Sequence, residues 1–179
     1  MKFTETPLAG AFLLELDRFE DERGTFARTF CRNELADRGL DPEVAQCNVS
    51  INPHRHTLRG LHYQESPHGE TKLIRCAVGA IYDVIVDLRP ASPTYRRWYA
   101  HTLTGETFDA LYVPKSFAHG FLSLSDSSTV LYQMSTDYQP AAARGVRWDD
   151  PSLGIEWPSI PNVISERDAS YPLLSKGER

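Results

Sequence analysis

The sequence predicts an all-β fold, a sandwich or a barrel. Three observations carry this expectation. Roughly ten short runs rich in β-branched and aromatic residues follow one another between residues 11 and 135. Several alternate with period two, as Lys72, Ile74, Cys76 and Val78 do against Leu73, Arg75 and Ala77. Turn-forming segments separate them: DERG, SPHGE, PASPT, LTGE and SDSS. In chain order the expected strands are AFLLELD (11–17), TFARTFC (25–31), QCNVSIN (46–52), TLRGLHYQ (57–64), KLIRCAV (72–78), AIYDVIVDL (80–88), RWYAHTL (97–103), DALYVP (109–114), HGFLSLS (119–125) and TVLYQMS (129–135). This number and spacing fit packed antiparallel sheets. Helical patterning is scant. RNELADR (32–38) reads as a two-turn helix stopped by Gly39.

The 179 residues suit a single domain over 1–179, with an irregular tail from about 150. Pro151, Pro158, Pro161 and Pro172 mark that tail, which is expected to wrap the body. A composition of 41% hydrophobic and 24% charged residues is that of a globular protein. A net charge of −5 argues against a nucleic-acid binder. Of 19 basic residues only Lys2, Lys72, Lys115 and Lys176 are lysines, and the rest are arginines. Forked guanidinium donors suit phosphate, although an Arg-favouring genome would leave the same bias. Cys31, Cys47 and Cys76 lack metal-ligand spacing and read as reduced thiols. The apolar stretch at Ala11 to Leu14 is too short for a signal peptide, and no run is long enough to span a membrane. The expected location is cytoplasmic.

HRHTLRGLHYQ brings His54, His56 and His62 close in sequence, and PKSFAHGF adds His119. A metal-binding β-helix carries a His-x-His pair followed by Glu, but Leu61 stands where the Glu would fall. No metal is therefore expected, and His54 and His56 read as loop histidines. Strand parity puts Arg59 and His62 on opposite faces. A bulge at Gly60 would turn both into one cavity. Parity alone leaves both readings open.

The motifs DERG (21–24), LRGLHYQ (58–64), KLIRC (72–76), VPKSFAHGF (113–121), LYQ (131–133), RGVRWDDPSLGIEWP (144–158) and SERD (165–168) follow in order. Together with YDVIVDLR (82–89) and SPT (92–94), they resemble the dTDP-4-dehydrorhamnose 3,5-epimerase family over about Phe3 to Leu174. The resemblance implies a cupin-like jelly roll or β-sandwich barrel with a few short helices, no cofactor and a homodimer. It implies that His62 is the general base, Tyr132 the acid on the other face of the sugar, Lys72 the neighbour of the keto oxygen and Asp168 the partner of His62. It further implies that Arg23 and Arg59 hold the diphosphate. Gln46, Asn48, His119 and Arg167 would line the nucleotide-sugar site, with Phe26 and Tyr138 packing on base or sugar. In the dimer, the run Phe12 to Leu14, with Arg23 nearby, would supply a strand or arm across the two-fold axis.

These residue types suit the chemistry. Protons on C3 and C5 of a 4-keto sugar flank a carbonyl, so their removal gives an enolate. Histidine titrates nearest neutrality among side chains, and an ammonium stabilises the developing oxyanion. Asp83, within YDVIVDL, reads as a possible buried carboxylate behind the site.

Two positions depart from the family pattern. Arg28 and Ala143 stand where the family carries Glu, which leaves the nucleobase open between dTDP, CDP and GDP. Arg28 would either reach the nucleotide or turn to solvent. The expected function is inversion at C3 and C5 of dTDP-4-dehydro-6-deoxyglucose. The rivals are a single-carbon epimerase, a non-catalytic sugar-nucleotide binding module and a metal-dependent cupin oxygenase.

Overall fold

The structure, a computed structural model, describes residues 1–174. Its strands are β1 (Lys2–Glu5), β2 (Phe12–Glu15), β3 (Arg18–Asp21), β4 (Gly24–Ala27), β5 (Gln46–Asn52), β6 (Leu58–Gln64), β7 (Lys72–Val78), β8 (Ala80–Asp87), β9 (Trp98–Thr104), β10 (Ala110–Val113), β11 (Phe117–Ser123), β12 (Ser128–Met134) and β13 (Ala143–Gly145). Two short α-helices accompany them, α1 (Arg32–Ala36) and α2 (Glu166–Ala169), with one 3-10 turn at Pro140–Ala142. One sheet has the order β1-β2-β10-β7-β12-β5, the second β13-β6-β11-β8-β9, and β3-β4 form a separate hairpin. All pairings between these strands are antiparallel. This is the all-β, cupin-like sandwich expected.

Period-two alternation sets what each strand buries. Ile74 and Cys76 of β7, Ile81 and Ile85 of β8, Phe117 and Phe121 of β11 and Val130 of β12 share the core cluster between the large sheets. The opposite face of β8, with Val84 and Val86, packs with Ala118, Val146 and Leu153. Ile155, Trp157 and Leu174 cover that cluster, so the Pro-rich tail wraps the body as expected. On the outer face of the other sheet, Leu35 of α1 packs with Leu14, Leu73 and Tyr112. The helix ends where expected, with Gly39 at φ +69° and the Leu40 N–H donating to the Leu35 carbonyl (3.1 Å).

Four elements lay outside the expectations: β1, β3, β13 and α2. KFTE and RFED carry little apolar alternation, and every residue of β3 is exposed. ARG and ERDA are too short to show a period. The N-terminal arm needs correction. Phe12–Glu15 is an interior strand, paired on one side with β1 and on the other with β10 of its own chain. The exposed N-terminal feature is the β3–β4 hairpin, where Phe19 and Phe26 lie opposite each other and are 69% and 75% exposed.

Candidate active site

The inner faces of β7, β8, β11 and β12 are apolar through the core. In the same period-two rows they carry Lys72, Asp83, His119 and Tyr132, with Asp83 set between Ile81 and Ile85 and His119 between Phe117 and Phe121. β5, β6, β7, β11 and β12 wall a cavity of about 720 Å³, a size suited to a small-molecule ligand.

His62 reaches the cavity through an irregularity in β6. On β11, His119 and Phe121 are two residues apart, but their partners His62 and Arg59 are three apart. β6 therefore carries one extra residue, and Arg59 and His62 both line the cavity. Gly60 allows this. Its φ is +129°, and a Cβ there would lie 2.5 Å from the Cα of Gly120. Of the two sequence readings, the bulge is the one found.

Behind His62 lies Asp168. The His62 Nε2 to Asp168 Oδ1 distance is 2.8 Å, and Asp168 Oδ2 accepts the Gly60 N–H at 3.0 Å. Burial pushes the Asp168 carboxyl up. The His62 hydrogen bond, its charge and the Gly60 N–H outweigh that and hold it below the ordinary value. Ser165 caps α2 by accepting the Asp168 N–H at 3.1 Å, so a four-residue helix in the tail delivers the carboxylate. Tyr171 packs edge-on against His62, 5.8 Å between ring centres, over Gly145, where a Cβ would collide with its ring.

Lys72 donates to the His62 carbonyl at 2.8 Å and pairs with Glu70 at 3.0 Å. His119 Nε2 lies 2.7 Å from Asp83 Oδ1, within the fully buried part of β8. The Tyr132 ring packs edge-on to His119, 6.1 Å away. Burial, then the Asp83 charge, push the Tyr132 hydroxyl far above its ordinary value, while Arg59 pulls the other way. Tyr132 therefore keeps its proton and is a donor. A carboxylate-backed imidazole, an ammonium and a protonated phenol share one cavity, which is equipment for moving protons beside a carbonyl.

Gln46, Asn48, Tyr138 and Arg167 also line the cavity. The Gln46 Oε1 is committed to the Tyr138 N–H at 3.0 Å. Arg59 donates to Asn52 Oδ1 at 2.8 Å, and Asn52 is anchored on the Ser128 carbonyl. Ala143 is at the cavity wall.

Arg23, Phe26 and Arg28 do not line the cavity of their own chain. Arg23 is 85% exposed and paired with Asp21 on the hairpin. Arg28 bonds Glu34 of α1 at 3.0 Å. Of the loop histidines, His54 is exposed and His56 Nδ1 lies 3.2 Å from Ser159 Oγ. Among the described residues no three His, Cys, Asp or Glu side chains are grouped to hold a metal. No helix there is long and apolar enough to cross a membrane.

Sequence reasoning missed Glu70, Asn52, Ser165 and Tyr171, and left Asp83 undecided. Some signals were present. Asp83 falls between Ile81 and Ile85, inside the inward row of β8. Ser165 stands three residues before Asp168, the spacing of a helix cap. Glu70 and Lys72 are two apart at a strand entry.

Fold and site together define a cupin-like isomerase, built to remove and return protons next to a carbonyl. A family model described as dTDP-4-dehydrorhamnose 3,5-epimerase matches residues 5–176. A dTDP-4-dehydrorhamnose 3,5-epimerase from Sinorhizobium fredii is 40% identical over 175 residues, covering 97% of this chain and 90% of that protein. The crystal structure of a Bacillus anthracis dTDP-4-dehydrorhamnose 3,5-epimerase with TDP and PPi bound matches with a TM-score of 0.93 and 41% identity, over 97% and 99% of the two chains. A dTDP-4-dehydro-6-deoxyglucose 3-epimerase from Streptomyces bikiniensis is 43% identical over 142 residues, 79% of this chain and 72% of its own. The chain belongs to the dTDP-4-dehydrorhamnose 3,5-epimerase family, and it is an enzyme, an isomerase of that family.

Proposed function

We propose that this enzyme inverts C3 and C5 of dTDP-4-dehydro-6-deoxyglucose, forming dTDP-4-dehydrorhamnose. The observation that carries the reading is the His62–Asp168 pair, 2.8 Å apart, sharing a cavity with Lys72 and Tyr132. Asp168 occupies His62 Nε2, fixes the ring and stabilises the imidazolium that forms. The other ring nitrogen takes the proton from the carbon beside the keto group. The Lys72 ammonium stabilises the enolate oxygen. Tyr132 returns a proton to the opposite face, which inverts the carbon. None of these steps calls on a cofactor.

The Bacillus anthracis relative holds TDP and PPi, which supports a dTDP-linked substrate here. Arg59 at the cavity wall supports diphosphate binding, with Arg167 and Tyr138 lining the same nucleotide-sugar cavity. Arg28 faces Glu34, which favours the reading in which it does not set base preference from within its own chain.

A homodimer is part of the same proposal. Val49 and Ile51 of the edge strand β5 are 58% and 64% exposed, and both border the cavity. Those exposed apolar side chains and the projecting hairpin support an assembly in which Arg23 and Phe26 complete a partner's site. Light scattering at micromolar concentration is expected to give twice the chain mass. A monomer would leave Arg23 and Phe26 without a ligand role.

The Streptomyces bikiniensis relative supports a second reading, inversion at C3 alone. Proton NMR of the product from dTDP-4-dehydro-6-deoxyglucose decides. Inverted couplings at both carbons support the first reading, and inversion at C3 only establishes the second.

A further inference from the structure

Glu70 stands at the cavity wall with a side chain only 4% exposed, and Oε1 lies 3.0 Å from the Lys72 Nζ. Its other oxygen, Oε2, is buried with no hydrogen-bond partner. Leaving a carboxylate oxygen in that condition is costly. The contrast with Asp87 is informative. Asp87 is also fully buried, but both its oxygens are engaged, by Arg89, Ser92 and Thr94. Asp87 is held as part of a saturated network. Glu70 is buried for one contact, and that contact is Lys72. Asp83 follows the same design, with one oxygen on His119 and the other unpartnered. Each half-satisfied carboxylate contacts a polar side chain that lines the cavity.

The backbone carrying Glu70 is pinned. The Thr71 N–H donates to Ser135 Oγ at 2.8 Å, and the Ser135 N–H donates to the Thr71 carbonyl at 3.0 Å. An ammonium has three protons to give. The His62 carbonyl accepts one at 2.8 Å, and Glu70 Oε1 is ion-paired with the group at 3.0 Å. One remains for a ligand oxygen in the cavity. The same His62 backbone anchors the base, so Lys72 and His62 are held in fixed relation.

We infer that Glu70 is a positioning residue for the reaction. It accepts one Lys72 proton so that the remaining N–H is aimed at the enolate oxygen. The inference rests on the proposed epimerase function, and the test separates the two. Solvent-deuterium incorporation into dTDP-4-dehydro-6-deoxyglucose is measured for wild type, Glu70→Met, Glu70→Gln, Lys72→Ala and the Glu70→Met/Lys72→Ala double variant. Glu70→Ala is the second choice if the Met variant does not fold. Glu70→Met, which fills the space but accepts no proton, should lower kcat about tenfold or more with KM changed less than about threefold, because an oriented oxyanion donor is lost. Glu70→Gln, which keeps an acceptor, should restore most of that loss. In the Lys72→Ala background, Glu70→Met should change kcat by less than about twofold, since nothing is left to position. Equal factors in both backgrounds, or an unchanged kcat in Glu70→Met, would overturn the inference while wild-type exchange upholds the function. Absence of exchange in wild type would overturn the functional proposal and this inference with it.

Discussion

His62 has its ring held from behind and from the side. Asp168 binds Nε2, and Tyr171 packs against its face. Tyr132 lies on another strand, β12, in contact with His119. This separation permits a specific outcome. Tyr132→Phe removes the donor but leaves the base, so deuterium should still enter the substrate while inversion falls about 100-fold or more. Inversion at the wild-type rate would remove Tyr132 from the mechanism. The histidines that read as a metal motif are used differently. His56 meets Ser159, and His119 meets Asp83. Treatment with a chelator should therefore leave activity unchanged. A stoichiometric metal with ligand distances of about 2.0–2.2 Å would contradict this. Several of the site residues were legible because motif order carried them: His62, Lys72, Tyr132 and Asp168. Their supports were less legible, since Asn52, Glu70 and Tyr171 act through contacts that cross from one strand or loop to another.

At the scale of elements, the site depends on how β6 runs beside β11. The extra residue at Gly60 puts Arg59 and His62 on one side, and the Gly60 N–H also fixes Asp168. Gly60→Ala would place a methyl group against the Gly120 backbone at a φ that L-residues rarely adopt. The expected result is a large loss of activity, with a greater fall in Tm than alanine produces at Gly24, where a Cβ meets nothing. Wild-type turnover by Gly60→Ala would show that the bulge is dispensable. Sequence parity could pose the bulge but not decide it, because the partner glycine that makes room lies sixty residues away at Gly120. β3 escaped for another reason. Its residues are exposed, so burial leaves no alternation to read. Motif resemblance named Arg23 and Phe26, and neither lines the cavity of its own chain.

For the whole molecule, the two large sheets and the tail meet through buried polar anchors as well as apolar packing. Asp87, at the end of β8, is the most saturated. Burial raises its carboxyl, but Arg89, Ser92, Thr94 and the Arg89 N–H bring it down to about 2. A carboxyl depressed on folding stabilises the native state above its unfolded pKa of about 3.9, and that contribution is lost as pH falls through the folded value. Asp87 thus contributes on the order of 2 kcal/mol at neutral pH, fading between about pH 4 and pH 2. Asp168 acts in the same direction. Asp87→Asn should lower the Tm at pH 7 and narrow its difference from wild type at pH 3. A constant difference across that range would show that the charge is not responsible. The sandwich itself was legible from spacing and alternation. Spacing did not reveal how the tail returns to the site, because α2 is four residues long and its role depends on a Ser165 cap and one carboxylate.

Proton abstraction by His62 next to the keto group is the central claim, and one measurement bears on it most directly. Wild type and His62→Asn are incubated with dTDP-4-dehydro-6-deoxyglucose in deuterium oxide, and label at C3 and C5 is read by NMR. Wild type should incorporate deuterium at C3, and at C5 if both carbons are inverted. His62→Asn, with its fold retained by circular dichroism, should fall by about 100- to 10,000-fold, the usual worth of a general base. Exchange in His62→Asn within about threefold of wild type would contradict the assignment of His62 as that base.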